Sequence, residues 1–574
     1  MPRSNEAVEA FLTEYADLMS ISGGDAFRVR TYEKAARSVG GYHADVATLD
    51  LKGILAIPNV GSSIGEKIAE FLRSGTVHQL DELRARIPAG VREMISIPTL
   101  GPKRAMVLYR DLHIGSVEEL ADAIHSGMLT GLKGFGPKTE ENILRGIALM
   151  QQAGGRVQLG VAMDLAEEII GELSAVRGCS KGTPAGSLRR MAETVGDIDI
   201  LVASDDGEPV MEAFASLSYV QDVIGRGDTK TSIRTATGLQ VDLRVVSPAV
   251  WGAALQYFTG SKAHNIKIRE RAVRKKLKLS EYGLFHADTD ELIVAQTEEE
   301  VYERLGLPWI APTLREDRGE IEAAVRGELP ALVRQADIRG DLHTHTDLTD
   351  GLAPLEQMLE AAAGFRYAYY AVTDHAPNLY MQRMTDHKML AQRDRLGSLQ
   401  PRYPKMTLLH GTELNIDPEG GVDWGPEFLE GFDVCVASVH SHFNQSKDEM
   451  TARIVRACQN PHVNVIGHPT GRQIGSRPPL DFDLDEVFAA AARTGTALEI
   501  NSFPDRLDLR DEHVMWAKRH GVKFAVDTDS HSTVHLPFMR YGIGTAQRGW
   551  LTKDDVINAW PLSKLRRFLR KGRA

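Results

Sequence analysis

Two aspartates lie two positions apart in the run TVGDIDILV, in which apolar residues alternate with them. Asp197 and Asp199 therefore share one face of a predicted strand. A second apolar run, LQVDLRVV, brings Asp242 as a third carboxylate from a neighbouring strand. Clustered carboxylates repel one another unless divalent cations neutralise them, and paired cations suit phosphoryl transfer. The pattern predicts nucleotidyl transfer, and residues suited to hold a triphosphate lie upstream, at Gly186, Ser187, Arg189 and Arg190.

A second set of residues with metal-ligand chemistry lies in the last part of the chain, beginning at GDLHTHTDLTDG. Histidines and carboxylates there directly follow short apolar runs that alternate with helical patterns. A single histidine after a strand is usually structural, but strand ends converge at one rim of an α/β fold, so the repeated placement indicates a shared metal site. The residues in question are His343, His345, Asp350, His375, Glu413, His440, His442, His468, Asp529 and His531.

One degenerate repeat occurs within the first 155 residues, whose apolar spacing is helical. Its copies end at Gly61, Gly101 and Gly136, and each precedes a predicted helix. Glycine permits a tight turn, and the amides at the following helix amino terminus can hydrogen-bond a phosphate without reading a base. A simple turn between two helices is the alternative for any one copy. Three copies favour DNA binding through helix-hairpin-helix motifs.

The composition of the chain excludes few functions and is compatible with these predictions. The chain has 574 residues, enough for several domains, and a net charge of −11, so any DNA site must be a local basic surface. Its 3 cysteines form no C-x-x-C pair, and no apolar stretch is long enough to span a bilayer. The amino terminus lacks a signal-peptide pattern. We therefore expect a cytoplasmic monomer with no membrane partner.

Three segments carry a resemblance to a known family. The runs at 186–202, 227–246 and 257–269 resemble the palm and thumb signatures of X-family DNA polymerases. The resemblance implies that Asp197 and Asp199 hold both catalytic Mg²⁺ or Mn²⁺ ions, and that Asp242 binds one of them and helps deprotonate the primer 3′-hydroxyl. It further implies nucleotide-binding roles for Gly186, Ser187, Arg190, Tyr257, Phe258, Gly260 and Asn265, with Arg156 a weaker candidate, and a template-phosphate contact for Lys230.

Some residues depart from that family. Gln240 stands where an arginine orients the third aspartate, and His264 replaces an aromatic residue. We expect these two differences to affect the rate of polymerisation and the affinity for the nucleotide. Residues 57–75 resemble the hairpin of the family's lyase domain, in which Lys67 aligns with a lysine that forms a Schiff base with an abasic sugar. Ser63 replaces a basic residue there, so we expect a surface lysine at position 67 and treat lyase activity as the less favoured hypothesis.

The carboxyl-terminal histidines and carboxylates resemble, in their order, the ligands of the PHP (polymerase and histidinol phosphatase) superfamily. All nine ligand positions are filled by residues named above, whereas His442, Asp374, Asn415 and Asn501 are left out of the ligand set. The resemblance implies a distorted (β/α)7 barrel that binds Mn²⁺ and/or Zn²⁺ and hydrolyses phosphoesters. Joined to a polymerase, it implies 3′–5′ exonuclease or 3′-end processing, with abasic-site cleavage as an open addition.

The predicted organisation is multidomain, α and α/β. We expect a helical, lyase-like DNA-binding domain at 1–86, fingers with the second and third hairpins at 87–155, a nucleotidyltransferase palm at 156–246, a thumb at 247–312, a linker at 313–338 and a PHP metallophosphoesterase at 339–574.

The predicted function is gap filling in bacterial DNA repair, base excision or end joining, on the nucleoid, with gapped or primer-template DNA and dNTP as partners. The first alternative is a PHP DNA phosphoesterase whose weak polymerase half mainly positions DNA. A DNA-binding scaffold and a PHP phosphatase for small metabolites are two further alternatives.

Overall fold

The protein is described by a computed structural model that covers residues 4–571 apart from 43, 88, 96, 98, 99, 130, 131, 133, 137, 138, 141, 142, 145, 146, 148–154, 237, 380 and 381. Among the helices of these residues, none is both long and apolar enough to cross a membrane.

The amino-terminal part is helical and has its own core. In α1 the residues Val8, Phe11, Leu12 and Tyr15 recur at helical spacing and are buried against the neighbouring helices. Helix α2 begins after Asp25, whose side chain accepts hydrogen bonds from two backbone amides of its first turn. The helices are α1 Ser4–Ile21, α2 Ala26–Gly40, α3 Leu51–Leu55, α4 Ser62–Ser74, α5 His78–Arg86, α6 Ala89–Met94, α7 Pro102–Leu112 and α8 Val117–His125.

A five-stranded sheet of order β2-β4-β7-β6-β5 follows, with β4 and β7 parallel at its centre and the other neighbours antiparallel. The apolar alternation of β4 buries Ile198 and Ile200 beneath α9. The elements are β1 Val157–Gln158, α9 Leu159–Ser174, β2 Lys181–Pro184, α10 Gly186–Arg189, β3 Thr194–Val195, β4 Asp197–Ala203, α11 Glu208–Ala215, β5 Val220–Arg226, β6 Lys230–Thr235 and β7 Gln240–Val246.

A smaller helical unit with a three-stranded sheet comes next and continues into the connector. Arg315 is completely buried and pairs with Glu298, which also binds Arg189 beside the five-stranded sheet. The predicted linker therefore packs as part of the fold. The elements are α12 Trp251–Thr259, α13 Lys262–Arg274, β8 Leu277–Ser280, β9 Gly283–His286, β10 Leu292–Val294, α14 Glu298–Arg304 and α15 Glu320–Arg326.

The last domain is a nearly closed barrel of seven parallel strands in sequential order, as the resemblance to the PHP superfamily implied. A parallel bridge between Thr344 and Ser530 joins the extensions of the first and last strands. The strands are β11 Gly340–Asp341, β12 Tyr369–Val372, β13 Thr407–Asn415, β14 Val434–Ser438, β15 Val465–Ile466, β16 Ala497–Asn501 and β17 Phe524–Asp527. The helices are α16 Leu355–Gly364, α17 Asp386–Leu399, α18 Pro426–Leu429, α19 Lys447–Gln459, α20 Leu484–Thr494, α21 Asp511–Arg519, α22 Met539–Arg548 and α23 Leu562–Leu569.

We expect Glu298→Gln to lower the free energy of unfolding of the thumb region by about 3–5 kcal/mol, because removing one partner leaves the Arg315 charge buried and uncompensated. Urea unfolding followed by Trp309 fluorescence measures the change, since the indole of Trp309 donates to Glu298. Glu299→Gln, on the exposed side of the same helix, is the control. Equal stability of the two variants would contradict the prediction.

Candidate active sites

The three predicted aspartates of the palm lie on adjacent strands. In the parallel pair β4 and β7, Asp199 is directly opposite Asp242, and Asp197 is opposite Gln240. Burial, followed by the charges of the two other aspartates, raises the pKa of Asp199 to about 6. Three carboxylates that repel one another at a partly exposed strand end form an all-oxygen donor set, which suits a hard divalent cation.

Two side chains from the sheet contact Asp242. Gln240 Nε2 donates to Asp242 Oδ1 at 2.9 Å, and Lys230 Nζ lies 2.5 Å from Asp242 Oδ2. Burial opposes ionisation of Asp242, but the hydrogen bonds from Lys230 and Gln240 outweigh it and lower the pKa of its carboxyl. The residue that departs from the family at position 240 thus still orients the third aspartate, with an amide in place of a guanidinium. The predicted template contact of Lys230 stays a prediction.

Gly186 lies against the predicted catalytic carboxylates, and this contact alone requires a glycine. Its φ is +55°, and a Cβ atom at this position would lie 2.2 Å from Asp199 Oδ2. Any side chain here would displace the aspartate. Ser187 follows on the short helix α10, whose carboxyl-terminal end leads to Arg190.

The other predicted nucleotide-binding residues surround the α12–α13 turn. Arg190 donates to the carbonyl of Thr259 at 2.7 Å and to Glu316 at 3.0 Å, so its guanidinium reaches the turn at Gly260, where φ is +71°. Asn265 is held by hydrogen bonds to the side chain of Gln256 and to the Tyr257 carbonyl, at 2.8 and 2.7 Å.

Two further side chains complete this region. The Phe258 ring stacks under the Arg244 guanidinium, 4.7 Å from the ring centre. His264, the second departure from the family, is fully buried between Glu320 and Tyr302. It is a buried structural residue next to Asn265.

The three hairpin glycines precede helices as predicted. Gly61 is the amino-terminal cap of α4, and Gly101 caps α7 with a φ of +25°. Gly136 accepts hydrogen bonds through its carbonyl from the amides of the next helical residues, Thr139 and Glu140. A Cβ at any of these glycines would meet no atom within 4 Å, so their open surfaces leave room for a DNA backbone.

The expectation of a surface lysine at position 67 is wrong. Lys67 is only 8% exposed, because its stem packs into the helical core while Nζ bonds Ser63 at 3.1 Å. The ammonium also lies over the rings of Tyr15 and Tyr32, at 5.7 and 5.9 Å. Ring faces stabilise a cation, whereas Schiff-base formation needs the neutral amine.

The nine predicted ligands of the last domain meet at the carboxyl ends of the barrel strands. Glu413, on β13 and 1% exposed, occupies the centre and faces five histidines. Its carboxylate oxygens lie 2.9–3.6 Å from ring nitrogens of His343, His345, His375, His440 and His468. Burial opposes ionisation of Glu413, but these imidazoles hold its pKa well below the usual range.

The same cluster contains three groups whose ligand atoms lie within 4.8 Å of one another: His345, Asp350, His375 and His531; His343, His345 and Asp529; and His375, Glu413 and His440. Within the described residues, buried ring nitrogens of His343, His345 and His375 have no hydrogen-bond partner. Buried polar atoms are normally paired, and mixed nitrogen and oxygen donors of this kind bind transition metals. The donor set therefore fits a cluster of metal ions.

A second layer of side chains orients the ligands. Glu499 Oε1 lies 2.7 Å from His343 Nδ1, and Asn415 Oδ1 lies 2.7 Å from His440 Nδ1. His442, which was left out of the ligand set, is exposed at the rim. Asp374, also left out, accepts hydrogen bonds from Thr346, Thr349 and Gln392.

Arg506 is a residue that sequence reasoning missed. Its Nε lies 3.8 Å from Asp529 Oδ2, and its Nη1 is buried without a hydrogen-bond partner in the described part of the chain. A lone arginine in the loop NSFPDRLDL carries no spacing signal of its own.

The fold and these two sites define a polymerase joined to a metal-dependent phosphoesterase, and family profiles match in the same order. They are a helix-hairpin-helix domain at 3–77, a SAM-like helix-hairpin-helix tandem at 91–148, a DNA polymerase beta thumb at 254–316 and a PHP domain at 341–502.

The chain is 34% identical to the DNA polymerase/3′-5′ exonuclease PolX of Bacillus subtilis (strain 168) over 563 residues, which cover 98% of each chain. It belongs to the PolX family of X-family DNA polymerases with a PHP domain. It is also 26% identical to DNA polymerase lambda of Rattus norvegicus over 51% of this chain and 53% of that one. A probable phosphatase of Thermoanaerobacter sp. (strain X514) matches at 28% identity over 40% of this chain and 94% of its own.

We expect Glu499→Gln to weaken metal binding at the PHP cluster about 10–100-fold, since loss of an outer partner of a ligating histidine has effects of that size. Equilibrium dialysis against Mn²⁺ or Zn²⁺ with elemental analysis measures it. Glu486→Gln, which alters an exposed glutamate on α20, serves as the control. If the two variants bound metal alike, Glu499 would have no part in orienting His343.

Proposed function

We propose that this protein is a DNA-directed DNA polymerase that fills gaps during DNA repair and trims primer 3′ ends with its PHP domain. The observation that carries the proposal is the presence of two complete and separate ligand sets on one chain. Three aspartates share the palm, with Asp199 opposite Asp242, and nine histidines and carboxylates share the barrel rim. The Bacillus subtilis relative, whose name states both activities, supports the same pairing on one chain.

In the palm, Asp197, Asp199 and Asp242 would hold Mg²⁺ or Mn²⁺, which supplies charge neutralisation when bound. Asp242, oriented by Gln240, accepts the proton of the primer 3′-hydroxyl. The resulting oxygen attacks the α-phosphorus of the dNTP, the bond to the β-phosphate oxygen breaks, and pyrophosphate leaves. Ser187 and Arg190 hold the triphosphate, and Tyr257, Phe258, Gly260 and Asn265 border the sugar and base.

In the barrel, the nine ligands would hold Mn²⁺ and/or Zn²⁺, which lowers the pKa of a bound water. The chain itself supplies a fixed, largely buried donor set and, at the edge of this set, the guanidinium of Arg506. Arg506 reaches Asp529 and presents a free N–H, which suits the phosphate of a terminal nucleotide. Hydrolysis of that phosphodiester shortens the 3′ end by one nucleotide, and abasic-site cleavage would use the same chemistry.

Three arguments separate this function from its alternatives. A palm kept only to position DNA would not need Gln240 and Lys230 to hold the Asp242 carboxylate in its ionised state. A lyase is disfavoured because Lys67 is buried, with its Nζ hydrogen-bonded to Ser63 and covered by the rings of Tyr15 and Tyr32. The helix-hairpin-helix glycines with open surfaces favour DNA over a small metabolite as the substrate of both sites.

We expect Asp197→Ala with Asp199→Ala to abolish primer extension and leave the exonuclease intact, because the two sites use different ligands. His343→Ala with His345→Ala should do the reverse. Extension and degradation of a labelled primer on gapped DNA, with Mn²⁺ and with Mg²⁺, measure both. Asp222→Ala, an exposed carboxylate of the same sheet, is the control. Loss of both activities in either folded double variant would refute two independent sites.

A further inference from the structure

A cavity of about 140 Å³ lies between the palm and the PHP domain, apart from both ligand sets. The palm contributes the loop that leads into β4, and the PHP domain contributes the start of α21 and the end of α22. Its lining residues are Arg156, Met191, Ala192, Glu193, Thr194, Arg318, Arg510, Asp511, Thr545 and Arg548.

The cavity is rich in cations. Four arginines line it against two carboxylates, and one of these, Glu193, is already paired with Arg472 from outside. Arg318 and Arg548 share the other, Asp511, at 2.9 and 2.8 Å. An excess of guanidinium groups in a confined space attracts anions, above all phosphates, to which arginine bonds through several N–H groups.

Two of the arginines keep bonding capacity free. Arg156 bonds only the hydroxyl and carbonyl of Thr194 among the described residues. Arg510 pairs with Glu512 through Nη2, while its Nε is buried and makes no hydrogen bond within the described chain. A buried guanidinium N–H that has no hydrogen-bond partner at a cavity wall is expected where a ligand supplies the acceptor.

The cavity adjoins the polymerase site. Arg156 Nη1 lies 3.4 Å from the position that a Cβ of Gly196 would occupy, one residue before Asp197. Arg548 donates to the Arg190 carbonyl at 2.9 Å and to Glu316, the same carboxylate that holds the Arg190 guanidinium. Arg548 of the PHP domain therefore contacts the segment that carries the predicted triphosphate ligands Ser187 and Arg190.

We propose that this cavity binds phosphate groups of a polyphosphate, with Arg510 and Arg548 of the PHP domain completing the palm's site. Pockets for drug-sized ligands measure about 300–1,000 Å³, so this volume suits one or two phosphates and no nucleoside. The source is the distal end of a bound dNTP or the pyrophosphate that polymerisation releases. The role in polymerisation rests on the proposed function, whereas the binding itself does not.

The first test is calorimetric and needs no catalysis. Pyrophosphate is titrated into the full chain in the presence of EDTA, and Arg510→Gln should weaken its binding about tenfold, the value of one charge-assisted hydrogen bond. Arg156→Gln, at an exposed position, should have the same effect. Arg519→Gln, an exposed arginine on α21 that does not line the cavity, should bind like the unaltered chain. Unchanged binding in both cavity variants, or no binding by the unaltered chain, would overturn the proposal.

The second test identifies the source of the phosphate. If the cavity takes the end of a dNTP, Arg510→Gln raises KM for dNTP in primer extension. If it takes the product, KM for pyrophosphate rises in the reverse reaction and KM for dNTP does not. An effect no larger than that of Arg519→Gln on both constants would exclude a role in polymerisation. Exonuclease activity, which uses none of these residues, reports correct folding of every variant, and a polymerase-inactive chain would still give the calorimetric result.

Discussion

Carboxylates gathered away from water repel one another, and both sites of this chain are built on that unfavourable arrangement. In the palm, burial and then the neighbouring Asp197 and Asp242 raise the pKa of Asp199. In the barrel, burial opposes ionisation of Glu413, and the surrounding histidines lower the pKa of its carboxyl. The ammonium of Lys230 in the palm and the histidines around Glu413 in the barrel offset part of this repulsion. Carboxylates that repel one another favour the binding of divalent cations, which would offset the rest.

Parallel strands explain how residues so far apart in sequence meet. The central β4–β7 pair sets two carboxylates side by side in register, which suffices for a compact site. The barrel brings seven strand ends to one rim and can surround a single glutamate with five histidines. The side chains that orient the ligands come from the same strand, as Gln240 does for Asp242, or from a different strand, as Glu499 of β16 does for His343 after β11.

The ligand residues could be predicted because they directly follow short apolar strands, and the resemblance of their order to the PHP superfamily implied the barrel. The surroundings of a single long side chain could not be predicted from the sequence. Lys67 is covered by Tyr15 and Tyr32, which are distant in sequence. Lys230 on β6 pairs with Asp242 on the adjacent strand β7. The cluster of arginines at the boundary between the palm and the PHP domain could not be predicted either, since Arg156 comes from the palm, Arg510 and Arg548 come from the PHP domain, and the three form no motif.

The closure of the barrel by Thr344 and Ser530 has a consequence for synthesis of the chain. His343 comes from the first strand and His531 follows the last, so the metal cluster is incomplete until the end of the barrel has left the ribosome. The three palm aspartates emerge long before. Translation thus completes the ligand set of the palm before the ligand set of the barrel, and a chain terminated early within the barrel lacks part of the second set.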